Sequence, residues 1–297
     1  MDKITVFDTI KQYCAFNRQG VLNPQIALVD MALAAPRKLQ RMQFNFYVIF
    51  LKEIKCGDLR YGCNTYDYDE GTLVFLAPGQ VIGQAGEEVY QPIGRALVFH
   101  PDFLLGTALA GKMDEHSFFS YEANEALHLA ERERRLIEDC LTKVGYELSQ
   151  QIDKHTKRLL VSHLQLLLNY CIRFYDRQFI TRTNVNQGII AGFEQLLNGY
   201  FRSGRAEEEG IPSVAYFAGR LHLSPNYFGD LLKKETGKSP QEHLRLKLIT
   251  VAKEQLFAPD KTISEIAYSL GFKHPQHFSR FFKKVVGQSP RDFRKAV

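Results

Sequence analysis

Near the end of the chain, Ser279 and Arg280 follow Gln276 by three and four residues in a stretch that opens at Pro275. On one face of a helix these side chains offer what the major groove of a duplex accepts. A guanidinium pairs with N7 and O6 of guanine, a carboxamide with N7 and N6 of adenine, and a hydroxyl with either base. Asn226, Gly229 and Asp230 hold the same positions 50 residues earlier. There Asp accepts only from a cytosine amino group and repels phosphate, so the second set is expected to carry more of any base discrimination. Lys233, Lys234, Lys273, His274, Lys283, Lys284 and the Ser224 hydroxyl supply the companion chemistry, phosphate contacts that position a duplex without reading it. A solvated helix face is also polar, and its being written twice is what distinguishes this one.

Side chains of this kind need rigid elements to aim them, and the sequence encodes those elements as a repeat. Pro225–Pro240 (PNYFGDLLKKETGKSP) lies over Pro275–Pro290 (PQHFSRFFKKVVGQSP) with identical residues at Pro225/Pro275, Phe228/Phe278, Lys233/Lys283, Lys234/Lys284, Gly237/Gly287, Ser239/Ser289 and Pro240/Pro290. Ala218–Leu223 likewise lies over Ala267–Phe272, at an offset shorter by one residue. Each copy reads as a short helix with a small residue at the crossing (Ala218, Ala267), a tight turn, and a second helix with Pro at its first position. Gly271 suits a left-handed turn residue, and His222 tolerates that conformation better than most side chains. Gly237 and Gly287 end the second helices, and Ser239-x-x-Glu242 and Ser289-x-x-Asp292 cap one more helix each. Phe228, Leu231 and Leu232, and Phe278, Phe281, Phe282 and Val285, fall at core spacing. Between the copies, Pro240–Leu256 places Leu244, Leu248, Ile249, Ala252 and Leu256 on one side. At 1.5 Å per residue this spacer is roughly 25 Å long, enough to set two reading helices about one DNA turn apart, ~34 Å.

Composition agrees with a folded two-domain protein: 297 residues, 45% hydrophobic and 24% charged. Val185–Val297 holds 17 Lys+Arg against 11 Asp+Glu, so the basic excess of the chain, net +5, belongs to this part; such asymmetry suits a polyanion. Residues 20 to 100 instead show short β-branched and aromatic runs, at Gln25–Met31, Arg41–Lys52, Thr72–Leu76 and Arg95–Phe99, separated by turn clusters, which predicts a sandwich or barrel. Arg132–Gln150 then carries a helical stripe of Leu136, Ile137, Cys140, Leu141, Val144 and Leu148. Lys154–Phe179 carries another, of Leu160, Leu164, Leu167, Cys171, Ile172 and Tyr175. These helices are expected to pack on the β unit, to bind a twin subunit, or both. Thr181–Gln187 is polar without periodicity and marks the boundary; Ile189–Phe201 is predicted helical, and Ser203–Gly210 an exposed connection.

Ile266–Arg294 (IAYSLGFKHPQHFSRFFKKVVGQSPRDFR) carries a resemblance to the AraC/XylS family of bacterial transcription regulators, and Gly188–Val297 as a whole is similar to that family's DNA-binding domain. The resemblance implies that Asn226, Gly229, Asp230, Gln276, Ser279 and Arg280 face base edges. More loosely, Asp69–Gln80 (DEGTLVFLAPGQ) resembles a strand and turn of the cupin-like sensor domains found there, which bind a small effector or mediate dimerisation. The expected fold is therefore multi-domain α and β: an N-terminal cupin-like antiparallel β-barrel (residues 1–130), two long helices (131–180), and an all-α C-terminal domain with two helix-turn-helix units (181–297). Expected partners are double-stranded DNA, a small-molecule effector, a second copy of the chain and RNA polymerase. No cofactor, metal or membrane is expected, and the location is cytoplasmic.

Two rival readings follow from the same residues. A barrel enzyme would need metal ligands or a nucleophile with its base, but His100 is the only histidine in the first 110 residues, and it reads as a strand-end residue. Tyr61, Tyr66 and Tyr68 around Cys63 read as strand packing sooner than as a ligand box. The five cysteines (Cys14, Cys56, Cys63, Cys140, Cys171) have no paired spacing and read as reduced thiols. Residues 1 to 16 lack the continuous apolar centre of a secretory signal. The other rival is an effector-independent dimeric DNA-binding protein whose N-terminal half only dimerises.

Overall fold

The computed structural model of the protein describes residues 4–52, 71–83, 86–122, 125–181, 183–257 and 261–296. The chain divides into two compact units, Met1–Thr181 and Arg182–Val297. Tyr61, Cys63, Tyr66 and Tyr68, and the Asp69-Glu70 start of the cupin-like segment, lie outside the described residues.

In unit 1, β1 (Ile4–Phe7) and α1 (Ile10–Phe16) precede β2 (Ile26–Asp30), β3 (Arg37–Lys38), β4 (Arg41–Phe44), β5 (Tyr47–Lys52), β6 (Thr72–Leu76), β7 (Val81–Ile82), β8 (Val89–Tyr90), β9 (Gly94–Phe99) and β10 (Leu127–His128). Two helices follow, α2 (Glu131–Ser149) and α3 (Thr156–Thr181). The strands form a five-stranded antiparallel sheet in the order β10-β6-β5-β9-β2, a three-stranded sheet β1-β4-β7 and a pair β3-β8. Because side chains alternate across a strand, each face of the large sheet has its own apolar layer. Val48, Phe50, Val74, Leu76, Ala96 and Val98 pack with Phe7 and Phe44 of the smaller sheet, Tyr13 of α1 and Phe46 from the link between β4 and β5. On the other face Tyr47 stacks on Phe99, and Phe75 meets Phe118 and Tyr175. Burial on both faces explains why all five residues of β6 are apolar or buried.

Several expectations need correction here. The barrel is not closed among the described residues: closure requires the outermost strands of a sheet to bond to each other, whereas the large sheet ends at β2 and β10 and its inward face is covered by a second sheet. The pairing is not wholly antiparallel either, since β1 and β4 run parallel. Arg41–Lys52 is not one strand. At Asn45, whose N–H donates to Phe7 O at 3.0 Å and whose Nδ2 donates to Asp8 Oδ1 at 2.7 Å, the chain passes from β4 in one sheet to β5 in another. Both predicted helices are present as α2 and α3, but Leu136 and Ile172 are exposed rather than core. Arg177 on α3 ties unit 1 together, forking onto Glu133 of α2 at 3.0 and 2.6 Å and reaching His128 O at 2.6 Å.

Unit 2 contains α4 (Thr183–Arg202), α5 (Arg205–Glu209), α6 (Val214–Arg220), α7 (Pro225–Thr236), α8 (Pro240–Phe257), α9 (Ile263–Ser269), α10 (Pro275–Val286) and α11 (Pro290–Ala296). Thr183–Gln187, predicted to be aperiodic, already belongs to α4, and Ser203–Gly210 contains the short helix α5, with Ala206 fully buried. One apolar cluster joins Phe193 and Leu197 of α4 to Phe217, Ala218, Phe228 and Leu232. A second joins Leu248, Ile249, Ala252 and Leu256 of α8 to Ile266, Ala267, Leu270, Phe278 and Phe282. Leu244 and Phe201 pack against both clusters, so α8 holds the two repeats together. Phe281 is half-buried and Val285 exposed, a smaller core on α10 than its spacing suggested. No helix of the described residues is long and apolar enough to cross a membrane.

Candidate nucleic-acid interface

The two copies share their turn hydrogen bonds. Leu223 N donates to Ala218 O and Phe272 N to Ala267 O, both at 3.0 Å. This return bond from five residues on is the usual closure of a helix by a left-handed residue. That residue is His222 in the first copy, at φ 57°, and Gly271 in the second, at φ 88°. Their surroundings differ. A Cβ on Gly271 would stand 2.6 Å from Gly210 C, 2.7 Å from Ile211 N and 2.8 Å from Ala206 O. Only glycine fits there, because the backbone after α5 is pressed against the turn. His222 is exposed.

Local capping sets the start of each helix. Ser213 accepts from Tyr216 N ahead of α6. Thr262 and Glu265 form a reciprocal box ahead of α9, with Thr262 N donating to Glu265 Oε2 at 2.6 Å and Glu265 N to Thr262 Oγ1 at 3.1 Å. Ser239 and Glu242 repeat the box ahead of α8, and Asp292 N donates to Ser289 Oγ ahead of α11. The Ser239 backbone N–H and then its hydroxyl hold the Glu242 carboxyl below its ordinary range, and Thr262 does the same for Glu265. Burial and nearby Lys238 lower the His243 imidazole, whose Nε2 lies 2.8 Å from Thr236 Oγ1.

On α10, Gln276, Arg280, Lys283 and Lys284 are exposed, as are Lys273 and His274 just before it, opposite the buried Phe278 and Phe282. His274 is the N-cap of α10 but makes no side-chain cap hydrogen bond. The first-turn amides thus carry their partial positive charge toward solvent. Ser279 is half-buried and its Oγ donates to Pro275 O at 3.0 Å, which leaves the hydroxyl as an acceptor in this rotamer. His277, one turn into the helix, is also exposed and lies edge-to-face with His274 at 5.3 Å between ring centres.

On α7, Asn226, Lys233 and Lys234 are exposed, whereas Gly229 and Asp230 are half-buried. Nothing lies within 4 Å of where a Gly229 Cβ would be, so this position is an open notch. Ser224, expected to contact phosphate, has its place at the start of α7. It is 3% exposed and caps α7 by accepting from Tyr227 N at 3.2 Å. Both helices end on a left-handed glycine whose N–H donates back to Lys233 O or Lys283 O. The paired lysines therefore also sit where a helix dipole favours cations.

Comparison with known proteins falls on this unit. Residues 217–296 match the family model described as a helix-turn-helix domain. The HTH-type transcriptional activator RhaS of Yersinia pestis is 47% identical over 67 residues, which is 22% of this chain and 24% of that protein. The uncharacterised transcriptional regulatory protein YesN of Bacillus subtilis is 36% identical over 95 residues, 30% of this chain and 26% of that protein. Among solved structures, a transcriptional regulator with an AraC-type DNA-binding domain from Chromobacterium violaceum aligns over 37% of this chain and 91% of that one, at 22% identity and a TM-score of 0.31. The chain spans about a quarter of the length of these two curated relatives. The repeated geometry and the family match define this part as a double helix-turn-helix domain. More particularly, residues 217–296 are similar to the helix-turn-helix domain that this family model describes.

Proposed function

We propose that the chain is a sequence-specific DNA-binding transcription regulator, with unit 2 placing α7 and α10 in successive major grooves. The observation that carries this reading is α10: an uncapped helix start beside exposed Lys273 and His274, followed by exposed Gln276 and Arg280 and then Lys283 and Lys284. Amides and cations engage phosphates while Gln276 and Arg280 meet base edges, with Ser279 as an acceptor. On α7, Asn226 reads and Lys233 and Lys234 hold the backbone. Gly229 and Asp230 offer little to a base edge, so α10 dominates sequence preference.

Unit 1 is assigned a sensing role toward a small-molecule effector, or the spacing of two subunits in a homodimer. Support for the dimer comes from apolar side chains left exposed on its long helices, Leu136 on α2 and Leu159, Leu166 and Ile172 on α3. One observation favours a purely dimerising unit 1: Phe44, Phe46, Val48 and Val98 fill the space between the sheets and are fully buried. The regulator acts in the cytoplasm, with RNA polymerase as a further partner, and has no catalytic role or cofactor. Genome-wide occupancy of the protein tests the reading, with discrete sites sharing one motif expected and uniform coverage contradicting it.

A further inference from the structure

Gly229 stands within α7 one turn after Asn226 and one turn before Lys233, on the side opposite the buried Phe228, Leu231 and Leu232. Glycine inside a helix is less stable than alanine, so its retention calls for a reason in its surroundings. Two other helix glycines have one inside the protein. A Cβ on Gly145 would press on Leu28 Cδ2 at 3.1 Å, and one on Gly192 on Leu221 Cδ2 at 3.2 Å. Around Gly229 nothing lies within 4 Å of the Cβ position. Gly188, Gly199 and Gly219 are as open, but they belong to α4 and α6 and not to a reading helix. On α7 the missing side chain makes room on the one face that is proposed to meet DNA.

The chemistry of that room is apolar. Its floor is the Gly229 methylene, with Pro225 one turn before it and the stem of Lys233 one turn after, both exposed. The Asp230 carboxylate beside it repels phosphate, so a base edge rather than the DNA backbone comes closest. In the major groove the apolar projection of a base edge is the C5-methyl group of thymine. Asn226 carries the carboxamide that suits adenine, and each adenine brings a thymine methyl into the same groove. The other repeat differs at this point: Ser279 holds a hydroxyl there, donating to Pro275 O at 3.0 Å.

We propose that Gly229 seats the 5-methyl group of a thymine, so that α7 selects by shape at a position where it has no hydrogen bond to give. A side chain at residue 229 would occupy the seat and hold the helix off the groove. The seat deepens the DNA-reading role proposed for α7 and rests on it.

Deoxyuridine lacks only that methyl group, which makes it the probe. The full chain selects its preferred duplex from a random pool, and each thymine of that duplex is then replaced in turn by deoxyuridine. One thymine is expected at which wild-type binding weakens about fourfold, the worth of one buried methyl group. Gly229→Ala moves the methyl to the protein. At that same position it should prefer deoxyuridine to thymine, while its response at every other thymine stays that of the wild type. Gly229→Ser, which gives α7 the residue that α10 has, should likewise lose the thymine preference, and it serves should Gly229→Ala not fold. Deoxyuridine without effect at every thymine, or variants that keep the wild-type ratio throughout, overturns the seat and leaves the reading role of α7 standing. A pool that yields no preferred duplex overturns the regulator reading, and the seat with it.

Discussion

Arg280 and Lys284 lie one turn apart on α10, and their removal should look different. Arg280→Ala should cost about 1–3 kcal/mol on the preferred duplex and relax preference at one base pair. Lys284→Ala should weaken every sequence alike and flatten the salt dependence by about one unit. Competition with matched and scrambled duplexes separates the two, and an equal loss on both for Arg280→Ala would contradict base reading. The glycines make an equally sharp pair. Gly229→Ala adds a methyl group to open space within a helix and should raise stability by roughly 0.5–1 kcal/mol. Gly271→Ala must hold a positive φ, costing about 1–2 kcal/mol, and must also push aside the Gly210–Ile211 backbone. Melting temperatures should therefore move in opposite directions. Arg280 and Gly271 were legible as residue types in a repeat. The close approach behind Gly271 was not, because it comes from α5, in a segment whose charges suggested an exposed connection.

Helix boundaries in unit 2 were legible because capping and turn chemistry act within a few residues, and the duplication stated each signal twice. The Ser224 hydroxyl is ambiguous for the same reason: a serine before proline is both a cap and a potential phosphate ligand, and the sequence alone does not show its burial. Thr262→Ala should remove one side of the box at α9 and cost about 1 kcal/mol. Glu242 and Glu265 have carboxyls held below their ordinary range, so their contribution is complete above the unfolded carboxylate range. It is lost as pH falls through the lower, folded one. Acid melting of the full chain should therefore become less pH-dependent in the double variant Glu242→Gln, Glu265→Gln. An unchanged pH profile would show that these caps do not govern acid stability.

For the molecule as a whole, the two units meet at Thr181 and Arg182, at the start of the polar aperiodic stretch Thr181–Gln187, and the architecture of unit 1 was only half legible. Strand positions follow from apolar alternation. Which strands pair does not, because the partners of β5, β6 and β9 are brought together over long sequence separations. That is why a single run at Arg41–Lys52 hid two strands in separate sheets, and why a closed barrel was expected. The long helices were correctly placed, and their leftover apolar residues lead to a test of assembly. If α3 carries the twin contact, Leu166→Asp together with Ile172→Asp should shift sedimentation from dimer to monomer. The change should not lower the melting temperature of the monomer, since both residues already face solvent.

The backbone contact at Gly271 makes the two repeats unequal. The corner before α10 has main chain of Ala206, Gly210 and Ile211 pressed against it, whereas the corner before α7 turns on the exposed His222 and is held by the packed side chains of Leu221 and Leu223 on either side. The aim of α10 thus depends on backbone from outside its own repeat. Grafting α9 and α10 onto another scaffold would fail to reproduce their aim unless the brace at residues 206–211 were transplanted with them.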